Sequence, residues 1–146
     1  MALWQFQINI IPYGHKYSKI VSDDLVSWKN IHIPKNIDSL ILNVLPLGNS
    51  WSENIKIYGN NDSTCIELLY ENGHIEEISC RLDLRCLSKA MLTGILNFTK
   101  SINGAFLIED RIVDPEINSV LPYIKNSNAA KFCLNPSEFF EYISEK

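Results

Sequence analysis

The start of the chain, over residues 3–12, alternates between apolar and polar side chains. A period of two places successive side chains on opposite faces of an extended strand. The Gln and Asn residues between the apolar positions would then lie on the solvent face. The pattern therefore predicts a half-buried strand that ends at Pro12 and Gly14. Its apolar positions are Trp4, Phe6, Ile8 and Ile10.

Two segments carry apolar residues at the spacing of a helix. In residues 37–45 they recur at intervals of three and four, which marks one face of a helix. Asn36 is a candidate N-cap for this helix, and the Pro and Gly residues that follow it should stop it. A longer stripe predicts a second helix over residues 86–103. Gly94 lies on the core face of that helix and is expected to pack closely against the sheet.

Three more helices are predicted in the last part of the chain. Asp114 and Pro115 fit the N-cap and the first position of a helix. Pro122 should kink that helix or end it early, because proline lacks the amide hydrogen that a helix interior needs. A short helix is predicted over residues 127–132, and Asn135 opens a final one.

Short apolar runs bounded by turn residues predict further strands. Residues 25–33 are ambiguous and are expected to hold a short strand and an irregular loop. A meander of three strands follows over residues 55–58, 64–70 and 75–84, and a short strand over 105–108 comes after the long helix.

Strands that precede most of the helices are typical of the α+β class. With 146 residues, the chain is long enough to bury a core of its own. The sequence therefore predicts a single domain over residues 1–146. Its fold should be α+β, with an antiparallel sheet of about four to five strands and helices packed on one face.

The turn in the second hairpin of the meander decides which side chains share a face. Asn72 and Gly73 mark the position of the turn. A two-residue turn would put Ile66 and Leu68 on the charged face of the next strand, which a buried face does not tolerate. A three-residue turn that starts at Glu71 avoids this conflict. The sequence thus predicts the longer turn, with Gly73 in the left-handed bulge position.

The third strand of the meander has one apolar face and one charged face. Its predicted core positions are Ile78, Cys80, Leu82 and Leu84. Its opposite face would carry Glu77, Ser79, Arg81, Asp83 and Arg85. This charged row can be an ion-paired outer face, worth roughly 0–1 kcal/mol per pair, or a recognition surface that uses the planar fork of arginine. The aromatic residues Trp28, Trp51 and Tyr58 likewise fit either a binding patch or the edge of the core.

Composition and charge restrict the class of protein. The chain is 46% hydrophobic and 21% charged, which excludes a disordered chain and a membrane protein. Its net charge is −4, and its Lys and Arg residues are scattered, which argues against a nucleic-acid partner. The first residues do not resemble a signal peptide. We therefore expect a cytoplasmic protein whose four cysteines are reduced.

None of the spacings that a reaction or a bound metal requires is present in the sequence. The three histidines are scattered, no cysteine pair has the CxxC spacing, and there is no Gly-rich phosphate loop or nucleophile elbow. Glu76 and Glu77 would point to opposite faces of a strand and cannot act as an acid/base pair. The sequence predicts no enzyme, no cofactor and no metal. A catalytic or ligand pocket would need His32, Asp23 or Arg81 to converge.

Several features between residues 50 and 143 form a recognisable series. In order, they are Trp51 before a strand that ends in Tyr58-Gly59, the Asn72-Gly73 hairpin leading into Arg81-Leu82-Asp83-Leu84-Arg85, the helix of residues 87–102, and a tail with Ser127–Phe132, Asn135-Pro136 and Phe139-Phe140. Together they resemble the small bacterial orphan immunity proteins found beside polymorphic or contact-dependent toxins. The resemblance implies a cytoplasmic protein without catalysis of its own, which binds a cognate toxin C-terminal domain and blocks its active site or substrate channel.

An acidic inhibitor would be steered electrostatically towards the basic cleft of a nuclease toxin. The expected contact residues are exposed acids, with Arg81 and Arg85 as anchors. The acids are Asp62, Glu67, Glu71, Glu77 and Asp83. The alternative is a small cytoplasmic adaptor, regulatory or chaperone-like domain, which would bind several partners or dimerise through a sheet edge. The sequence leaves the oligomeric state open.

Overall fold

The structure is a computed structural model that describes residues 1–12 and 27–133. Its strands are β1 (Gln5–Pro12), β2 (Ile55–Gly59), β3 (Cys65–Glu71), β4 (His74–Asp83), β5 (Gly104–Ile108) and β6 (Arg111–Val113). Its helices are α1 (Ile37–Leu42), α2 (Lys89–Ser101), α3 (Ile117–Lys125) and α4 (Asn128–Phe132). The final helix predicted from Asn135 lies outside the described residues. No described helix has the length and apolar character that a bilayer crossing requires.

The strands form one antiparallel sheet in the order β2-β3-β4-β1-β5-β6. β1 lies inside the sheet, paired with β4 on one side and with β5 on the other. The α+β class and the antiparallel sheet are confirmed, but the sheet has six strands rather than four to five. The additional strand is β6, whose three residues are too few to show an alternating pattern.

The β3–β4 hairpin reaches the predicted face arrangement by a different route. Glu71 pairs with His74, so the turn has two residues, Asn72 and Gly73, with φ of 54° and 79°. Two left-handed residues are typical of a type I′ turn. A bulge next to Tyr70 then shifts the register by one residue. The predicted three-residue turn is therefore wrong. The bulge, and not a longer turn, places the apolar residues of β3 and β4 on the same face of the sheet.

Beyond the bulge, Leu68 pairs with Ile78 and Ile66 pairs with Cys80, so these side chains share one face as predicted. Their face belongs to one hydrophobic cluster, to which all four helices also contribute. The opposite face is not uniformly polar. It includes buried side chains outside that cluster, namely Ile11, Ile57, Cys65 and Ala105.

The residue that the bulge leaves unpaired holds the segment before α1. This residue is Glu76, whose carbonyl accepts a hydrogen bond from the amide of Trp28 at 2.8 Å and whose carboxylate accepts one from Ser27 Oγ at 2.8 Å. Trp28 is buried, and its indole nitrogen donates to the carbonyl of Ile10 at 2.8 Å. The strand predicted within residues 25–33 is absent from its described part, 27–33. Trp28 is anchored instead by two separate hydrogen bonds, one from its backbone amide and one from its indole nitrogen.

Helix α3 starts later and ends later than predicted. The amide of Glu116 bonds to the carbonyl of Asp114 at 2.8 Å, so Asp114 and Pro115 form a tight turn before the helix and do not open it. Pro122 lies inside α3, which continues to Lys125. Proline cannot donate the hydrogen bond of a helix interior, yet α3 continues past it. The early end, one of the two outcomes predicted for Pro122, is therefore wrong.

Serine caps begin two of the other helices, α2 and α4. Ser88 Oγ accepts a hydrogen bond from the amide of Met91 and begins α2, whereas Asn36 makes no side-chain cap bond to α1. The predicted helix over 127–132 is confirmed as α4, with Ser127 as its cap. A Cβ at Gly94 would lie 3.1 Å from Val44 Cγ1. The close contact of Gly94 is therefore with the segment after α1 and not with the sheet.

The turn between β5 and β6 uses residue types that its backbone does not favour. Glu109 and Asp110 have φ of 50° and 65°, where Asn-Gly is the preferred pair. Replacing Glu109-Asp110 with Asn-Gly is expected to stabilise the protein by about 0.5–1 kcal/mol in urea unfolding, since a left-handed residue with a side chain is strained. Gly73→Ala in the other hairpin is the control and should destabilise it. A loss of stability in the Asn-Gly variant would contradict this explanation.

Candidate functional site

The charged residues from Arg81 to Arg85, at the end of β4 and just after it, belong to two separate groups of side chains. Arg81 turns towards β3, where its Nη2 lies 3.5 Å from Glu67 Oε2 and 2.5 Å from Asn61 Oδ1. Its Nε donates to Cys65 Sγ at 3.3 Å. The side chains of Arg81 and Glu67 are only 15% and 21% exposed. Their hydrogen-bonding groups are thus largely used inside the chain, and Glu67 is only partly exposed rather than the exposed acid that the sequence predicted.

Asp83 is also not an exposed acid, because only 1% of its surface is accessible. One carboxylate oxygen accepts bonds from the amide and the Nε of Arg85, each at 3.0 Å. The other accepts from Arg85 Nη2 at 2.8 Å and from Ser63 Oγ at 2.9 Å. Asp83 therefore binds Arg85 alone of its two flanking arginines, and it is buried rather than the exposed acid that the sequence predicted.

Arg85 is held on a second side by an aromatic ring. Its guanidinium carbon lies 3.8 Å from the ring centroid of Trp4, a cation–π contact. The indole nitrogen of Trp4 donates to the carbonyl of Asp62 at 2.8 Å, and Arg85 Nη2 lies 3.4 Å from the same carbonyl. The ring of Phe132 lies 6.3 Å from that of Trp4. We call Trp4, Asp62, Asp83, Arg85 and Phe132 the Arg85 cluster.

Local backbone contacts explain why these residues meet. β4 ends at Asp83, and the next amide, that of Leu84, bonds to the carbonyl of Trp4 at 3.0 Å. Gln5 is buried, and the nitrogen of its side-chain amide donates to the carbonyls of Asn61 and Ser63 at 3.0 and 2.6 Å. The β2–β3 loop is therefore fastened to the start of β1, which brings Asp62 against Trp4.

The electrostatics of the Arg85 cluster keep its ion pair charged. Burial alone would raise the pKa of Asp83, but the hydrogen bonds from the side chain and amide of Arg85 and from Ser63 lower it below its usual value. The same bond to Asp83 raises the pKa of Arg85. Nearby, burial raises the pKa of the Cys133 thiol. The arrangement favours binding over proton transfer, because neither charged group is poised to exchange a proton near neutral pH.

Exposed apolar side chains belong to the Arg85 cluster or lie close to it in sequence. Met1 is 75% exposed, Leu3, which precedes Trp4, is 71% exposed, and Phe132 of the cluster is 50% exposed, while the side chain of Arg85 is 49% exposed. Sequence reasoning missed Trp4 as part of this site because it assigned Trp4 to the core face of the first strand. The available signal was that Trp4 stands at the very start of the alternating segment, where a strand end can leave its side chain at the surface.

The remaining predicted contact residues lie away from this cluster. Glu71 and Glu77 are exposed, but Glu71 flanks the hairpin turn at the other end of β3. Of the candidate aromatic residues, Trp28 and Tyr58 are buried, and Trp51 is 72% exposed. The structure thus brings Asp62 and Arg85 together and leaves Glu71 and Glu77 apart from them.

Two of the three residues considered for a catalytic or ligand pocket lie in the described part of the chain. His32 is exposed, Arg81 is bonded to Glu67 and Asn61, and Asp23 lies outside the described residues. Within residues 1–12 and 27–133, no three His, Cys, Asp or Glu side chains are grouped so that they could hold a metal ion.

Comparison of the chain with protein-family models, with curated proteins and with solved structures finds no match. The proposals below therefore rest on the residues and contacts of this chain.

Proposed function

We propose that the protein is an immunity-type binding protein that neutralises a cognate bacterial toxin domain by direct protein–protein contact. The observation that carries this proposal is the Arg85 cluster with its apolar surroundings. Tryptophan and arginine are the residue types most enriched among the side chains that dominate binding energy at protein interfaces. Here they stack on each other at the surface, next to the exposed Leu3 and Phe132.

The fixed geometry of Arg85 favours binding. Ordering a long side chain on association costs about 0.5–1.5 kcal/mol. Arg85 is already held by Asp83 and by the ring of Trp4, although half of its side chain is accessible. Its Nη1 donates to none of the described residues. A partner could therefore accept a hydrogen bond from Nη1 while meeting a side chain that is already ordered.

Charge favours a basic partner. Asp83 neutralises Arg85 within the cluster, so the exposed Asp62 gives the five cluster residues a net charge of −1. The chain as a whole carries a net charge of −4. Such a surface would accelerate association with the basic cleft of a nuclease toxin, an effect that salt would weaken.

The sheet offers less support for the alternative, an adaptor that dimerises through a sheet edge. The outer edge of β2 is partly occupied, because the amide of Gly48 bonds to the carbonyl of Ile57 at 2.8 Å and the amide of Gly59 bonds to the carbonyl of Pro46 at 2.6 Å. We further infer that the helices cover the sheet face that carries Ile66 and Ile78, since both belong to one cluster with the buried helix residues. Contacts with a partner would then use the end of the sheet at Arg85.

A binding measurement with designed variants tests this function. The ligand would be the C-terminal domain of a toxin encoded in the adjacent reading frame, measured by calorimetry and by rescue of cells that express it. Asp62→Lys and Leu3→Glu are each expected to weaken binding at least tenfold, because they reverse the charge and remove the apolar surface beside Arg85. Both side chains are exposed, so the fold should remain intact.

Asp114→Lys is the matched control, since Asp114 is an exposed acid outside the Arg85 cluster. Its affinity should change less than threefold. A wild-type protein that neither binds nor neutralises the toxin domain would overturn the function. Tight binding that Asp62→Lys and Leu3→Glu leave unchanged would keep the function but reject this surface.

A further inference from the structure

A groove of about 530 Å³ lies between the segment before α1 and the β3–β4 hairpin. This volume is in the range of small-ligand sites, roughly 300–1,000 Å³. Ile31, Ile33 and Ile75 contribute apolar walls, and Tyr70 adds an aromatic side chain with a hydroxyl group. The groove is far from the Arg85 cluster, because His74 in its lining starts β4 and Asp83 ends it, about 30 Å away along an extended strand.

The charge of the groove is opposite to that of the whole chain. Lys29 and Lys35 line it, and neither forms a salt bridge with any of the described residues. The acid in the lining is Asp38, but its carboxylate accepts a hydrogen bond from the hydroxyl of Tyr58 and lies 3.4 Å from Lys56 Nζ. Among the described residues of the lining, the charge left for a ligand is therefore positive, although the net charge of the chain is −4.

Three side chains of the lining offer hydrogen-bond donors to a ligand, namely Lys29, Lys35 and Tyr70. Burial is the largest of the effects that raise the pKa of Tyr70, so its hydroxyl keeps its proton and can donate it. The two lysine ammonium groups only donate. Such a lining matches an acceptor that carries negative charge, and the isoleucine walls match an apolar body attached to it.

We propose that this groove binds a carboxylate attached to an apolar body, with Lys29 and Lys35 at the carboxylate and Ile31, Ile33 and Ile75 along the apolar part. Such a ligand can be a free small carboxylic acid or an acidic residue within an apolar peptide. Both would place a carboxylate beside the lysines and an apolar group against the isoleucines. The proposal is independent of the toxin-binding function, because it uses none of the residues of the Arg85 cluster.

Titrations followed by amide NMR shifts test the proposal directly. Hexanoate represents the free acid, hexanamide is its neutral counterpart, and the capped peptide acetyl-Leu-Glu-Leu-amide represents a peptide ligand. We expect saturable amide shifts at residues 29–33, 35 and 73–75 with hexanoate or with the peptide, and at least fivefold weaker binding of hexanamide. Saturation by hexanoate assigns the groove to free acids, and saturation by the peptide alone assigns it to peptides.

Two double variants with the same loss of charge distinguish binding in the groove from general electrostatic attraction to the protein. The double variant Lys29→Gln/Lys35→Gln should bind the active probe at least fivefold more weakly than wild type. The double variant Lys125→Gln/Lys131→Gln loses the same charge elsewhere and should bind within twofold of wild type. Shifts that do not saturate with either probe, equal binding of hexanamide, or equal weakening by the two double variants would each overturn the proposal.

Discussion

Trp28→Ala is expected to lower the free energy of unfolding by about 3–5 kcal/mol, the range for truncating a large buried aromatic residue. Trp28 is only 1% exposed, and its indole nitrogen donates to the carbonyl of Ile10 in β1. The substitution therefore creates a cavity and leaves a buried carbonyl without its donor. Urea unfolding followed by far-ultraviolet circular dichroism measures the loss.

Two variants divide this effect into its parts. Trp28→Phe keeps most of the buried ring but removes the donor, so its cost should lie between those of wild type and Trp28→Ala. Trp51→Ala removes the same side chain from a position that is 72% exposed and should cost less than about 0.5 kcal/mol. Equal costs for Trp28→Ala and Trp51→Ala would show that Trp28 is not part of the core.

Asp83→Ala is expected to cost about 3 kcal/mol, because it removes a buried carboxylate and its hydrogen bonds to Ser63 and Arg85. Asp83→Asn keeps the shape of the side chain but loses the charge, so it should cost less. Asp114→Asn, at an exposed acid, is the control and should lie within about 0.5 kcal/mol of wild type.

The cost of Asp83→Asn should depend on pH in a defined direction. The pKa of Asp83 is lower in the folded protein than its usual value, so the ionised group stabilises the fold fully above that usual value. This stabilisation is lost as the pH falls towards and through the folded pKa. The stability difference between wild type and Asp83→Asn should therefore be largest near pH 7 and shrink below about pH 4. A difference that stays constant from pH 7 to pH 3 would contradict the role of the ion pair.

Elements with a clear period were predictable from the sequence. β1 alternates along its length, and the stripe of α2 repeats over several turns, so both are found close to their predicted places. The faces of β3 and β4 were also predictable, since burial of Ile66 and Ile78 on one side determines the register. The bulge was not, because the parity rule is met equally well by a three-residue turn or by a two-residue turn with an extra residue further along.

The candidate site was predictable only in part. The charged residues from Arg81 to Arg85 can be read from the sequence. That Arg81 and Arg85 join two separate groups of side chains cannot. Arg81 turns to Glu67 and Asn61, whereas Arg85 folds back over Trp4 because β4 ends at Asp83. Contacts of this kind join residues far apart in the chain, and no local pattern reports them. The burial of Asp83 has the same origin, since Ser63 comes from the β2–β3 loop.

The central place of β1 has a consequence for folding kinetics. Gln5 pairs with Asp83 and Asn9 pairs with Leu107, so the first strand of the chain has both neighbours far away in sequence. The strands β2, β3 and β4 are joined by short loops and can pair as local hairpins. β1 pairs only with segments far away in sequence, which raises the contact order and slows folding. During synthesis, β4 would expose an unpaired edge until β1 docks beside it. That interval is when the chain is most open to aggregation.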